Sequence, residues 1–293
     1  MVNAYEIIRK EKLWREIQAK GGLHNFLDYD GIIFLDSGGF QAMRYNFDIE
    51  IERLIEVYRI AGADYYFSLD YPSTNPGNEE EKISRTIQNF KKLRKVLENV
   101  IPIVHPNIER AVREYEAYKE YDPEYVAVGG LVPLMLITNK RKKAIDLMVK
   151  IRRIHDGFIH VMGLGAPTIV PILKVIGCTS TDSSAWRVKA AHGKIMLPNG
   201  GERYISDRNA KFGVTPLNEE EITFINKLGC PILKEYDWNG LAESFEVRAL
   251  FNAWITLYVN SNNYEVNGPF GKLLEYARLS MNRQDNLNIS ERI

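Results

Sequence analysis

The feature that most constrains this chain is an alternation. Short apolar runs at 31–36, 65–70, 100–104, 125–128, 158–162 and 178–181 read as strands. Helical patterns fill intervals at about 49–62, 79–98, 108–121 and 139–155. Such alternation demands a parallel sheet joined by right-handed crossovers. A doubly wound sheet and a (β/α)8 barrel both satisfy it. The strand ends decide between them, because Asp36, Asp70, His105, Gly129-Gly130, Gly163 and Asp182 stand where the runs stop. A barrel gathers all such ends at one mouth; an open sheet gathers only those near its switch point. No GxGxxG string follows the first strand, which weakens a dinucleotide-binding reading. The expected fold is α/β: a (β/α)8 TIM-like barrel, regular or irregular, with a β-hairpin insertion and C-terminal helices.

The flanks fit less neatly. A helix over 4–20 should close at Gly21-Gly22. No clear strand precedes residue 31, so the two missing barrel strands are expected near 231–236 and ahead of residue 30. Pro167 should open a short helix. Residues 194–206 read as a hairpin turning at 197–201. Asn218 should cap a helix at 216–229. Residues 245–258 are apolar on most sides, so they pack on the barrel or form a dimer surface; a polar loop at 260–268 leads to a last helix at 269–282. The chain is read as one domain, 1–293, with a catalytic core at about 31–212 and a helical part at about 213–293.

Composition excludes some classes. Lys plus Arg and Asp plus Glu are both 38, which argues against a histone-like grip on nucleic acid and is compatible with a local basic groove. Two cysteines, Cys178 and Cys230, make neither a disulfide framework nor a four-cysteine zinc site. They read as reduced residues of a cytoplasmic protein. No apolar run approaches the ~20 residues of a membrane span, and the first residues are too polar for a signal peptide.

The strand at 31–36 ends in Asp36-Ser37-Gly38-Gly39-Phe40-Gln41. An acid at a strand end, two glycines, a flat ring and an amide suit the approach of backbone and side chains to a planar ligand. The string resembles the signature of the tRNA-guanine transglycosylase family, enzymes that exchange a guanine of nucleic acid for a 7-deazaguanine. Four further segments follow in the family's order: Phe67-Ser68-Leu69-Asp70, Val128-Gly129-Gly130-Leu131, Met162-Gly163-Leu164-Gly165 and Thr181-Asp182. Asn209-Ala210-Lys211-Phe212 is a weaker match. The resemblance implies a pentosyltransferase that works through a covalent aspartyl-sugar intermediate. Asp182 would be the nucleophile, with hydroxyl neighbours to hydrogen-bond its carboxylate; alone it would read as a helix cap. Asp36 would be the general acid/base, beside Ser37. Phe40 would stack on the purine. Asp70 would read N1–H and the 2-amino group, since a carboxylate accepts from paired donors. The backbone at Gly129, Gly130 and Leu131 would face the base carbonyl and 7-substituent. Met162 would cover the base, with Gly163 beside it.

Two departures matter. His105 stands where the family usually has glutamine and would donate to the base carbonyl with a charge that varies near neutral pH. The tRNA-modifying members carry a zinc site of three cysteines and a histidine near the C-terminus; here only Cys230 lies in that region and no histidine follows His192. No zinc and no cofactor are therefore expected, and DNA is the favoured substrate over tRNA, with a preQ0-like base incoming. Arg187, Lys189, Lys194, Arg203 and Arg208 would form a basic rim on the phosphates beside a flipped guanine; equally, they suit a solvated hairpin. A homodimer or an accessory subunit is compatible. The alternatives are a tRNA enzyme, a non-catalytic partner subunit, or a glycosidase.

Overall fold

A computed structural model describes residues 1–72, 78–206, 214–262, 264 and 266–283. Its contacts divide the chain into two compact units, 1–162 and 163–293.

The first unit is a mixed α/β layer built on parallel strands. Strands β1 (Val2–Asn3), β2 (Phe34–Asp36), β3 (Tyr65–Phe67) and β4 (Val100–Ile101) pair in that order. Strands β5 (Ile103–Val104), β6 (Tyr125–Val128) and β7 (Phe158–Val161) form a second parallel run. The strand expected at 100–104 is thus two, broken at Pro102. Proline has no N–H to give the ladder, but its carbonyl still accepts from Ala127 N–H at 2.9 Å. Strand β1 supplies the expected strand ahead of residue 30, in register with β2 through Val2–Leu35 and Asn3–Asp36. The run at 31–36 is shorter than expected, because Ile33 N–H goes to the Asp64 carboxylate at 2.7 Å and the ladder starts at Phe34.

The inner face of these strands curls. Phe34 of β2 lies 5.7 Å from Tyr125 of β6 and 5.8 Å from His160 of β7, centroid to centroid. In a flat sheet β2 and β7 would stand about 19 Å apart, at about 4.8 Å per strand. Phe67, Ile101, Ile103 and Ala127 are buried between them. Outside, the helices Ile51–Ala61, Glu79–Arg94, Ile108–Lys119 and Arg141–Ile154 bury apolar stripes, among them Leu54, Tyr58, Phe90, Leu93, Tyr118, Met148 and Ile151. Asn78 and Asn107 cap the second and third, accepting from the N–H groups of Glu80 and Glu109. The N-terminal helix is broken at Lys10 (φ −112°, ψ 88°) into Ala4–Arg9 and Glu11–Ala19. Short helices beyond those expected include Leu23–Leu27 and, each soon after a strand end, Gly39–Arg44 and Val132–Leu136.

The second unit holds β8 (Ser180–Thr181) and an antiparallel hairpin, β9 (Lys194–Met196) and β10 (Glu202–Tyr204), where the hairpin was expected. Residues 231–236 are not a strand. They belong to the helix Pro231–Glu243, whose proline occupies the first turn and whose Asp237 (φ 52°) kinks it. The helix near Pro167 starts later, at Val170, with Pro171 in its first turn. Asn218 closes a reciprocal cap with Glu221 at the start of Glu219–Lys227. The apolar helix Phe245–Ser261 buries Phe251 and Ile255 in one core with Ile195, Leu197, Ile225, Cys230 and Leu241, but exposes Leu250 and Leu257. Among the described residues no helix is long and apolar enough to cross a membrane.

Candidate functional site

In the first unit the Asp36 turn and Asp70 come together. Asp36 ends β2, and its Oδ2 accepts from Asn3 Nδ2 at 2.9 Å and from Gly38 N–H at 3.2 Å. Gly38 holds φ +80°, and a Cβ there would meet the Tyr5 Cβ at 2.3 Å. The turn therefore needs glycine for its dihedral and for its space. Ser37 is fully buried, its hydroxyl accepting from Gly39 N–H at 3.4 Å. A Cβ on Gly39 would lie 2.8 Å from both the carbonyl oxygen and Oδ1 of Asp70. Backbone and carboxylate thus meet across a missing side chain. Phe40 is 55% exposed. A cavity of about 360 Å³ opens beside Gly39 and Asp70, with Met43, Tyr71, Lys82 and Arg85 in its wall. That volume falls at the low end for small-molecule sites.

Behind Asp70 stands His105, with no exposed surface. Its Nε2 lies 2.8 Å from Asp70 Oδ2 and its Nδ1 2.9 Å from Glu114 Oε1. The expected contact with a base carbonyl therefore finds both ring nitrogens already engaged by carboxylates. Burial alone would lower the imidazole's pKa, but the Glu114 charge and the Asp70 hydrogen bond push it up to about 9. The expected charge variation near neutral pH moves into the alkaline range.

The Gly129-Gly130-Leu131 segment follows β6. Gly129 N–H donates to Val104 carbonyl at 2.9 Å, and a Cβ there would press Ile103 at 3.1 Å and the Met162 sulfur at 3.6 Å. Gly130 takes φ +66° beside the Pro106 ring, and Leu131 is buried. Met162 packs on the Phe67–Ile103 cluster.

In the second unit, Gly163 N–H donates to Asp182 Oδ1 at 2.9 Å. Asp182 is half-buried. The following helix, Ala185–Ala191, has Ser184 at its N-cap position, and the Ser183 hydroxyl accepts from Ala185 N–H at 3.1 Å. Thr181 donates its hydroxyl to the Asp182 carbonyl. Of the expected basic rim, Lys189 and Lys194 both pair with Glu202, whose carboxyl they hold below its ordinary range against the opposing effect of burial. Arg203 pairs with Glu221, and the Arg187 guanidinium lies 5.9 Å from the Phe245 ring. Arg208 and the segment 209–212 lie outside the described residues. Among the described residues no cluster of three or more His, Cys, Asp or Glu side chains is arranged to hold a metal ion.

Sequence reasoning missed Asn3, Arg110 and Glu114. The last two carried a signal. In the helix Ile108–Lys119 the buried face holds Ala111, Tyr115 and Tyr118 but also Arg110 and Glu114, a charged pair four residues apart on an apolar stripe.

The sequence profile described as queuine tRNA-ribosyltransferase matches residues 1–251. The chain is 31% identical over 207 residues to the tRNA-guanine(15) transglycosylase of Nanoarchaeum equitans, covering 68% of this chain and 49% of that protein. It is 28% identical over 270 residues to the tRNA-guanine(15) transglycosylase of Pyrococcus furiosus, covering 87% and 43%. Uncharacterized protein 306 of Sulfolobus islandicus rod-shaped virus 1 is 27% identical over 251 residues, covering 84% and 76%. The matches span less than half the length of both archaeal transglycosylases.

Proposed function

The chain belongs to the queuine tRNA-ribosyltransferase family, and on that premise we propose that it exchanges guanine in nucleic acid for a 7-deazaguanine base. The Asp182 carboxylate attacks C1′ of the nucleoside while Asp36 gives a proton to the departing guanine. The sugar is then an ester of Asp182. The incoming base attacks C1′, loses its proton to Asp36 and releases the aspartate. Gly163 N–H steadies the nucleophile, as its hydrogen bond to Asp182 suggests. Phe40 stacks on the base and Asp70 accepts from its N1–H and amino group. Gly129, Gly130, Leu131 and Met162 bound the base plane, with Gly130 N–H the donor because Gly129 N–H is already engaged by Val104. Ser37 holds the turn.

The observation that carries this reading is the Gly39–Asp70 approach, which sets a second carboxylate against the turn of the first at the wall of a cavity, although Phe40, Gly129, Gly130 and Met162 are not part of that wall. A (β/α)8 barrel in a single domain is the architecture proposed for this activity, and the curl of β2 toward β7 within the first unit supports its barrel part. DNA is the proposed polymer, because Cys230 lacks the companion cysteines and histidine of a zinc site. Arg187, Lys189, Lys194, Arg203 and Arg208 would meet its phosphates, the lysines by exchanging Glu202 for phosphate. The test is incorporation of radiolabelled guanine into duplex DNA and into bulk tRNA side by side, with Asp182→Ala as control. Label in DNA alone supports the full reading. Label in tRNA alone keeps the chemistry and overturns the polymer. Label in neither overturns the activity.

A further inference from the structure

His105 is a donor to two carboxylates at once. Asp70 Oδ2 and Glu114 Oε1 sit 2.8 and 2.9 Å from its two ring nitrogens. Carboxylate oxygens only accept, so both nitrogens must carry hydrogen, and only the imidazolium form does. The ring cannot turn away. Glu114 also takes the His105 backbone N–H on Oε2 at 2.8 Å. Glu114 in turn accepts from Arg110 Nε at 2.8 Å, and the Arg110 guanidinium reaches the Tyr71 carbonyl at 3.0 Å and the Glu79 carboxylate. A chain of buried charges thus runs from Arg110 through Glu114 and His105 and ends on one oxygen of Asp70. Its other oxygen, Oδ1, is the one that faces Gly39, and both residues line the cavity.

We infer that His105 is a positioning residue that, held by Glu114 and Arg110, fixes the Asp70 carboxylate with Oδ1 toward the base and so sets the selection of purines that present adjacent donors. This rests on the function proposed above. The raised pKa of His105 agrees with the geometry. Of the groups facing the relay, Tyr58 and Tyr118 are pushed well above the ordinary phenol value by burial and by the carboxylates. Asp36, Glu79 and Lys82 complete the charged surroundings.

Losing the His105 proton has a defined consequence. The neutral ring has one N–H for two carboxylates. If Glu114 keeps it, a nitrogen lone pair confronts Asp70; if Asp70 keeps it, the fully buried Glu114 loses a donor. Either way the relay loosens, and the loss appears in binding of the base.

The test combines two readouts. The first is the ¹⁵N imidazole NMR signal of His105 against pH, in the wild type and in Glu114→Gln, with no substrate present. The second is the pH dependence of KM and kcat for guanine in the same proteins. We expect a doubly protonated ring at neutral pH in the wild type. Glu114→Gln should lower the His105 titration by about one pH unit or more, because it removes the neighbouring charge but keeps the hydrogen bond. The alkaline rise in KM should move with it, and KM should change more than kcat. Guanine titrates in the alkaline range itself, so the displacement between the two proteins is the diagnostic. If Glu114→Gln does not fold, His105→Gln, which donates without titrating, should remove the displaced limb. A singly protonated His105 at neutral pH overturns the inference. So does a KM profile that stays in place while the NMR titration shifts. Absence of any exchange in the wild type would count against the proposed function, while the NMR arm still decides the relay.

Discussion

Asn3 donates its side-chain amide to Asp36 Oδ2 at 2.9 Å from a parallel strand in which the two residues are register partners. The same side chain accepts from Tyr5 N–H and caps the first helix. Asn3→Ala should therefore lose a cap, about 1 kcal/mol of stability, as well as the anchor on Asp36. Asn3→Asp keeps the cap but sets two carboxylates together. Exchange rates and thermal melts of both variants separate the roles: both should lose about tenfold or more in kcat, but Asn3→Ala should melt lower.

Asp182→Ala should abolish exchange and leave the fold intact, since the side chain is half-buried and the helix after it starts at Ala185, whose N–H goes to the Ser183 hydroxyl. Quenching the wild type during turnover and weighing the protein should reveal a sugar adduct that the variant lacks.

Gly39→Ala places a methyl 2.8 Å from Asp70 Oδ1 and from its backbone carbonyl. Asp70 has to shift, at about 1–3 kcal/mol. The expected result is a raised KM for the base with a smaller change in kcat, measured by steady-state exchange.

Stability should fall as the medium turns alkaline. His105 has a folded-state pKa near 9, above the ordinary imidazole value of 6.5. Its stabilising contribution is complete below about pH 6.5 and is lost as pH rises through about 9, roughly 3 kcal/mol in all. Urea unfolding at both ends of that window should show the loss in the wild type and not in His105→Gln.

Glu202 holds two lysines that would otherwise face solvent or phosphate. Glu202→Gln should bind duplex DNA more tightly, with a salt dependence steeper by about one to two phosphate contacts. Fluorescence anisotropy at two salt concentrations checks it, and weaker binding would argue that the hairpin does not touch the polymer.

Much of the first unit was legible because its strands are buried and its helices amphipathic. Strand β6 was read to the residue: Tyr125–Val128 is a continuous apolar run bounded by a turn and two glycines. Strand β1 was hidden, since two residues carry no periodicity and only the pairing with Leu35 and Asp36 makes them a strand. Pro102 was visible, but not as a break, because its neighbours keep the apolar run going. In the candidate site the strand-end acids announced themselves. Their supports did not, because Asn3 and Glu114 act across 33 and 9 residues of sequence and no local pattern records such contacts.

Gly39 and Asp70 also make a statement about descent. The methyl that would turn one into alanine occupies the place where the other stands. One of the two atoms it meets is a backbone carbonyl oxygen, which any residue at 70 carries, so giving up the acid would not by itself make room for a side chain at 39. Across homologous sequences the glycine should therefore outlast the acid: position 70 can change while position 39 stays glycine.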